Sequence, residues 1–291
     1  MKKRSIVLMA ILFLFCGFNV GTARDDTIID AKYHPPSGEP ANVAIMFLGG
    51  SDGGFPRYDV EVYTTKGYPC YLLAYFGTEN TPHHLEMIPL EYFEAAIERF
   101  RSYPEVGDKK IVLFGGSKGG ELALLLASRY RQIEGVIARV PSSVVFQGIG
   151  GPSSSWSYKG RPVPFVPYYE PFDDSTVVNN QWIEMYKLSL TQTEAVERAI
   201  IEVENINGPV LIITGKEDRM WPSSQMGDMI IERLKENNFP HWYQHIAYDN
   251  AGHSLNEKGI FGGTEEGNKK ARIDSEQRIS AFLEHYENRP R

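Results

Sequence analysis

Ile111-Val112-Leu113-Phe114-Gly115-Gly116-Ser117-Lys118-Gly119-Gly120-Glu121-Leu122-Ala123-Leu124-Leu125-Leu126 changes its period at one serine. The apolar run Ile111 to Phe114, ended by glycine, reads as a strand buried on both faces. From Gly119 to Tyr130 the chain reads as a nearly all-apolar, buried helix. Between the two, Gly115 to Gly119 matches G-x-S-x-G. Glycine-serine clusters are common in turns, so the context carries the meaning: strand before, helix after, the placement of a nucleophile elbow. Small neighbours let strand and helix approach closely. The Ser117 hydroxyl is thereby expected beyond the strand's carboxyl end, near a helix N-terminus that favours developing negative charge.

Other segments repeat the alternation. Val43 to Leu48 is a continuous apolar run ending in Gly49-Gly50-Ser51-Asp52-Gly53-Gly54, and Tyr68 to Ala74 looks like another strand. Leu90, Phe93, Ala96, Ile97 and Phe100 recur at three- and four-residue steps, the spacing of an amphipathic helix. Gly135 to Val140 and Pro209 to Thr214 add two strands. Repeated strand–helix alternation predicts an α/β fold with a mainly parallel sheet. Residues 147 to about 180 break that rhythm, being rich in Gly, Pro, Ser and aromatics (Trp156, Tyr158, Phe165, Tyr168, Tyr169, Phe172). A helical segment from about Gln181 to Val203 follows. So long an aperiodic but aromatic stretch predicts a cap over a pocket, about 147–203.

A serine nucleophile needs a base, and the base needs an orienting acid. With a strand–elbow–helix serine the acid and then the histidine follow in the chain. Lys216-Glu217-Asp218-Arg219 comes just past the strand ending at Thr214, where sites of open parallel sheets gather. Asp218 is the expected acid and Glu217 its competitor. Among seven histidines, His34, His83 and His84 precede the serine, and His285 falls in the last helix. His241 and His245 lie in an apparent strand from Trp242 to Tyr248, on one face by their even spacing. His253, in a loop after that strand, is the expected base. The oxyanion hole calls for two backbone N–H groups. Lys118 supplies one and the turn after Leu48 the other, from Ser51 or alternatively Gly50. The Lys118 side chain is expected to pair with Glu121 on the helix surface, a contact of roughly a few tenths of a kcal/mol.

Composition narrows the remaining classes. With 291 residues, 42% hydrophobic and 23% charged, the chain fits a single globular domain and not a disordered or multi-span membrane protein. A net charge of -7 argues against nucleic acid as a partner. No G-x-x-x-x-G-K-[ST] and no HExxH or Cys/His zinc pattern is present, so no cofactor and no metal are expected. Cys70 reads as core. Lys2, Lys3 and Arg4, the apolar run Ile6 to Phe15, and the small residues Gly21 and Ala23 have the layout of a secretory signal peptide over residues 1–23. The apolar run is too short for a comfortable span, so a membrane association is expected only if the signal stays uncleaved. Phe15 before Cys16 speaks against a lipid-attachment signal. The expected mature chain, 24–291, loses three basic and no acidic side chains, leaving 27 against 37, or -10. It is expected to be exported, periplasmic or secreted.

Leu73-Ala74-Tyr75-Phe76-Gly77, Ile88-Pro89-Leu90-Glu91-Tyr92-Phe93-Glu94-Ala95-Ala96 and Gly116-Ser117-Lys118-Gly119-Gly120-Glu121-Leu122-Ala123-Leu124-Leu125 resemble the catalytic domain of the acyl-CoA thioesterase / bile acid-CoA:amino acid N-acyltransferase family. The resemblance runs from about Val43 to His253. It implies an α/β-hydrolase fold and a Ser/Asp/His triad falling on Ser117, Asp218 and His253, the three residues that chain order selects. Transferases of the family resemble a cysteine-nucleophile version, so the resemblance with serine here favours hydrolysis over transfer to an amine. Members commonly carry an amino-terminal β-sandwich domain, whereas about twenty residues separate the expected cleavage site from the first core strand. The expectation is an exported serine hydrolase whose partner is a small acyl ester or thioester. Acyl transfer to an amine, a serine peptidase and a non-catalytic binding module are the alternatives.

Overall fold

Val43, Ile45 and Phe47 point to one side of a sheet and Ala44, Met46 and Leu48 to the other, all six wholly buried. Such two-sided burial requires helices on both faces, and the computed structural model has them. It describes residues 28–169, 182–259 and 261–288. The strands are β1 (Ala31–His34), β2 (Val43–Leu48), β3 (Cys70–Leu73), β4 (Ile88–Pro89), β5 (Lys110–Gly116), β6 (Ile133–Arg139), β7 (Trp156–Tyr158), β8 (Arg161–Pro162), β9 (Val210–Gly215) and β10 (Tyr243–Tyr248). The helices are α1 (Glu61–Thr64), α2 (Leu90–Arg101), α3 (Lys118–Arg129), α4 (Trp182–Ser189), α5 (Thr193–Ala199), α6 (Ser223–Glu236) and α7 (Glu265–Glu287).

Seven strands form the large sheet in the order β1-β3-β2-β5-β6-β9-β10, parallel except for β1 against β3. Helices α2, α3 and α6 cover one face, packing Phe93, Ile97, Leu122, Leu126 and Ile230 on it. Helix α7 covers the other with Ala271, Ile279, Phe282 and Leu283. The five apolar positions expected for α2 are its five buried residues. The sequence-level reading of an α/β fold with a mainly parallel sheet is thus what the chain adopts. Edge strand β1, with its mixed burial pattern, carried no such signal.

The chain leaves β2 for β3 on one side and returns to β5 on the other. The switch point therefore lies between β2 and β5, where open sheets leave a crevice at their carboxyl ends. The insertion follows β6, the fifth strand of the large sheet. Its β7 and β8 join β4 in a second sheet, β4-β7-β8. The apolar cluster beneath it contains Val144, Phe146, Val166, Met185, Tyr186 and Trp221. Instead of one helical segment from 181 to 203 there are α4, α5 and a 3-10 turn at Val203–Asn205. The expected signal segment and Phe172 lie outside the described residues. Among those described, no helix is long and apolar enough to cross a membrane.

Candidate active site

Ser117 has φ 56° and ψ -123°, a conformation seldom adopted by a side-chain-bearing residue. Its neighbours make that turn possible. A Cβ at Gly115 would stand 1.9 Å from the Gly119 carbonyl oxygen, and one at Gly119 would stand 2.3 Å from that of Gly49. No larger residue fits either position without moving backbone. The turn is tied down by Ser117 N–H donating to Arg139 O (2.9 Å) and by Gly120 and Glu121 N–H donating to Ser117 O (2.9 and 3.1 Å).

The loop after β10 brings His253 Nε2 to 2.9 Å from Ser117 Oγ. Its Nδ1 lies 2.8 Å from Asp218 Oδ2, at the carboxyl end of β9. Asp218 is held as well as placed. Its Oδ1 accepts from the Met220 and Trp221 N–H groups (2.8 and 3.2 Å) and its Oδ2 from Ser223 Oγ (2.5 Å). The carboxylate is only 2% exposed and the imidazole 11%, a low-dielectric setting that strengthens their coupling. The edges of Trp221 and Phe261 flank the ring, with centroids 5.8 and 6.4 Å away. Ser117, Asp218 and His253 are thus brought into one hydrogen-bonded line, while Glu217 is not in it. The supporting donors Met220, Trp221 and Ser223 were not identified from sequence. The hint was present in an acid followed within five residues by a serine at a helix start.

Gly50 packs against the elbow: a Cβ there would lie 3.3 Å from Ser117 Cβ and 3.9 Å from Ser117 Oγ. Tyr75 Oη donates to Gly49 O (2.5 Å), fixing the glycine-rich turn. Neither the Ser51 nor the Lys118 backbone N–H has a hydrogen-bond acceptor among the described residues. Two cavities meet at Ser51, Ser117 and Met220. One, of about 370 Å³, is lined by Ile149, Tyr168, Trp182, Met185, Tyr186 and Trp221 among others, mostly from the insertion. The other, of about 480 Å³, runs past His253 along the Gly49–Gly53 turn, Tyr58 and Arg139.

The Lys118 side chain departs from expectation. It does not lie on the helix surface but is 2% exposed, with Nζ 2.8 and 2.9 Å from the two oxygens of a fully buried Glu121. Glu121 also accepts from Trp156 Nε1 (2.9 Å) and Phe146 N–H (3.4 Å). Burial lowers the lysine's pKa and raises the glutamate's, each opposed by its partner. The spacing i to i+3 was right. What it could not reveal was that the insertion folds over this face of α3.

His241 also differs from expectation, preceding β10 and packing on Phe239. His245 takes part in a second hydroxyl–imidazole–carboxylate line, with Nε2 2.7 Å from Thr214 Oγ1 and Nδ1 2.9 Å from Asp228 Oδ1. Thr214 is wholly buried in β9, so no substrate reaches that hydroxyl. Cys70 is core, its thiol pushed up to about 12 by burial.

Residues 88–288 match the family model described as BAAT / Acyl-CoA thioester hydrolase C terminal. The chain belongs to that family. Among BAAT / acyl-CoA thioester hydrolase relatives, acyl-coenzyme A thioesterase 1 of Mus musculus is 29% identical over 294 residues, covering 93% of this chain and 66% of that protein. The bile acid-CoA:amino acid N-acyltransferase of Mus musculus is 26% identical, covering 80% and 53%. This chain therefore spans somewhat under two thirds of the length of such relatives. Solved structures share the fold at low identity. The acylaminoacyl peptidase of Pyrococcus horikoshii has a TM-score of 0.58 at 14% identity, covering 90% of this chain and 40% of that one. The protein DcsB, solved with a substrate analogue, has a TM-score of 0.57 at 13% identity, covering 90% and 95%.

Proposed function

We propose that this chain is an exported serine hydrolase that cleaves acyl thioesters or carboxylic esters through an acyl-enzyme. The observation that carries the reading is the unbroken line from Ser117 Oγ through His253 to a buried, fully bonded Asp218, opening onto two cavities. In this mechanism Ser117 attacks the acyl carbon while His253 Nε2 takes its proton. Asp218 keeps the imidazole oriented and balances its charge once protonated. The oxyanion is held by the backbone N–H groups of Ser51 and Lys118. His253 then returns the proton to the departing alcohol or thiol. Water, activated by the same imidazole, releases the acid and restores Ser117. The insertion serves as a cap whose aromatic wall takes the acyl chain.

The test is hydrolysis of matched acyl-CoA thioesters and simple acyl esters by wild type and Ser117→Ala. Serine-dependent turnover of either class supports the reading, and turnover that survives Ser117→Ala overturns it. Turnover of simple esters alone would remove CoA from the account. Transfer to an amine is the second reading, favoured by the N-acyltransferase among the relatives. Adding a free amino acid such as glycine to the assay and looking for the amide product separates it from hydrolysis. Export is part of the proposal and rests on the layout of residues 1–23.

A further inference from the structure

The two cavities that meet at Ser117 differ in chemistry. In the one under the insertion, the charged side chain among the described residues is Lys118, already neutralised by Glu121. That wall suits an acyl chain. The other carries Arg57 and Arg139. Neither guanidinium has a hydrogen-bond or ion-pair partner among the described residues. Arg139 ends β6 and is half-buried, while Arg57 is exposed at the rim. Among the titratable groups that feel Arg139 are the phenols of Tyr58, Tyr63 and Tyr248, each held protonated by burial. Among the described residues one carboxylate, the exposed Asp52, shares the wall, leaving two cations against one anion there. Tyr58 adds a hydroxyl beside the elbow, where a Cβ on Gly116 would lie 3.2 Å from its Oη.

A half-buried arginine without a partner has lost hydration and gained nothing in exchange, unless a ligand supplies the anion. Its planar fork suits a carboxylate or a phosphate. We infer that Arg139, assisted by Arg57 and Tyr58 Oη, forms a subsite for an anionic group on the leaving-group side of the substrate, a few bonds from the scissile carbonyl. The inference rests on the hydrolase reading above and narrows it. Distance separates this subsite from one for the phosphates of CoA. A cavity of about 480 Å³ is about 10 Å across if round, so a group held by Arg139 stays close to Ser117. In CoA the diphosphate lies about 13 bonds from the thioester sulfur, roughly 16 Å when extended. The substrate class is therefore an acyl ester or thioester whose alcohol or thiol itself bears a nearby negative charge.

The experiment compares three butyrate esters: phenyl butyrate, 4-(butyryloxy)benzoate and 4-(butyryloxy)phenyl phosphate, with butyryl-CoA alongside. The two anionic esters distinguish carboxylate from phosphate as the preferred group. In Arg139→Leu, the ratio of kcat/KM for the preferred anionic ester over phenyl butyrate should fall about tenfold or more, chiefly through KM. Arg139→Lys should restore part of that ratio, a recovery that a purely structural role would not produce. A ratio unchanged within twofold overturns the subsite, as does a loss equally large on butyryl-CoA. If wild type cleaves none of these substrates, the hydrolase reading fails separately. Calorimetric binding of 4-hydroxybenzoate and 4-hydroxyphenyl phosphate to Ser117→Ala, with and without Arg139→Leu, then decides the subsite. At least tenfold weaker binding of one of them supports it, and equal affinities overturn it.

Discussion

At the scale of single residues, the acid has the most demanding position. Asp218 is buried, and its two oxygens accept two backbone N–H groups and one hydroxyl besides meeting the imidazole. Three donors on an acceptor-only group also forbid rotation. An asparagine there would turn part of this pattern against itself, because an amide nitrogen cannot accept from the turn and favours the wrong histidine tautomer. Asp218→Asn should therefore lower kcat by about 10⁴-fold with KM little changed, measured on whichever ester the wild type turns over. That Ser117, Asp218 and His253 meet could be foreseen from residue type and chain order, the two things that the proposed covalent mechanism would demand. Ser223 and the Met220 and Trp221 amides could not, since backbone donors leave no signature in side-chain identity.

At the scale of elements, the insertion and helix α3 are held together by hydrogen bonds to a buried carboxylate, itself ion-paired within α3, and not by apolar contact alone. Glu121 bonds to Lys118, Trp156 and the Phe146 amide, so one carboxylate joins the elbow helix to β7 and to the segment after β6. Glu121→Ala leaves a buried ammonium without a counter-charge and should destabilise the fold by about 3–5 kcal/mol in urea unfolding. Replacing both partners, as in Lys118→Met with Glu121→Leu, should recover most of that loss. A pair three residues apart in sequence looks the same whether water or protein covers it, which is why its burial was not legible. The parallel strands were legible, because burial on both faces leaves unbroken apolar runs such as Val43–Leu48 and Ile111–Phe114.

Helix α6 and strands β9 and β10 meet through Asp228, Thr214 and His245. Burial pushes the His245 pKa below its ordinary 6.5, outweighing the pull of Asp228. The unfolded imidazole therefore binds a proton more readily than the folded one. Stability should be full above about pH 6.5 and decline as pH falls toward the lower folded value. His245→Gln, compared with wild type by thermal melts at pH 7.5 and 5.5, should show a smaller fall in Tm between the two.

For the whole molecule, the charge balance and the cavities make different demands. The chain from residue 24 onward has 27 basic against 37 acidic side chains, a field that repels anions at a distance. If residues 1–23 are removed on export, intact-mass measurement of the protein recovered from the cell envelope or medium should place its first residue at Arg24. Retention of Met1 would overturn that cleavage. The α/β architecture could be read from alternation along the chain. The meeting of two chemically unlike cavities at one serine could not, because their walls come from segments far apart: Arg57, Arg139 and Met220 in one, Ile149, Tyr186 and the same Met220 in the other.

Trp221 takes part in three arrangements at once. Its amide bonds Asp218, its indole N–H bonds Val140 O at 3.0 Å, and its ring packs among Phe146, Tyr186 and His253. If the cavity under the insertion takes the acyl chain, an engineer wishing to admit longer ones would find Trp221 an attractive wall to cut back, and the wrong one. Truncating it would enlarge the cavity and loosen the acid together, so gains in substrate range would arrive with losses in turnover. Met185, which lines the same space without touching that hydrogen-bonded line, is where redesign can begin.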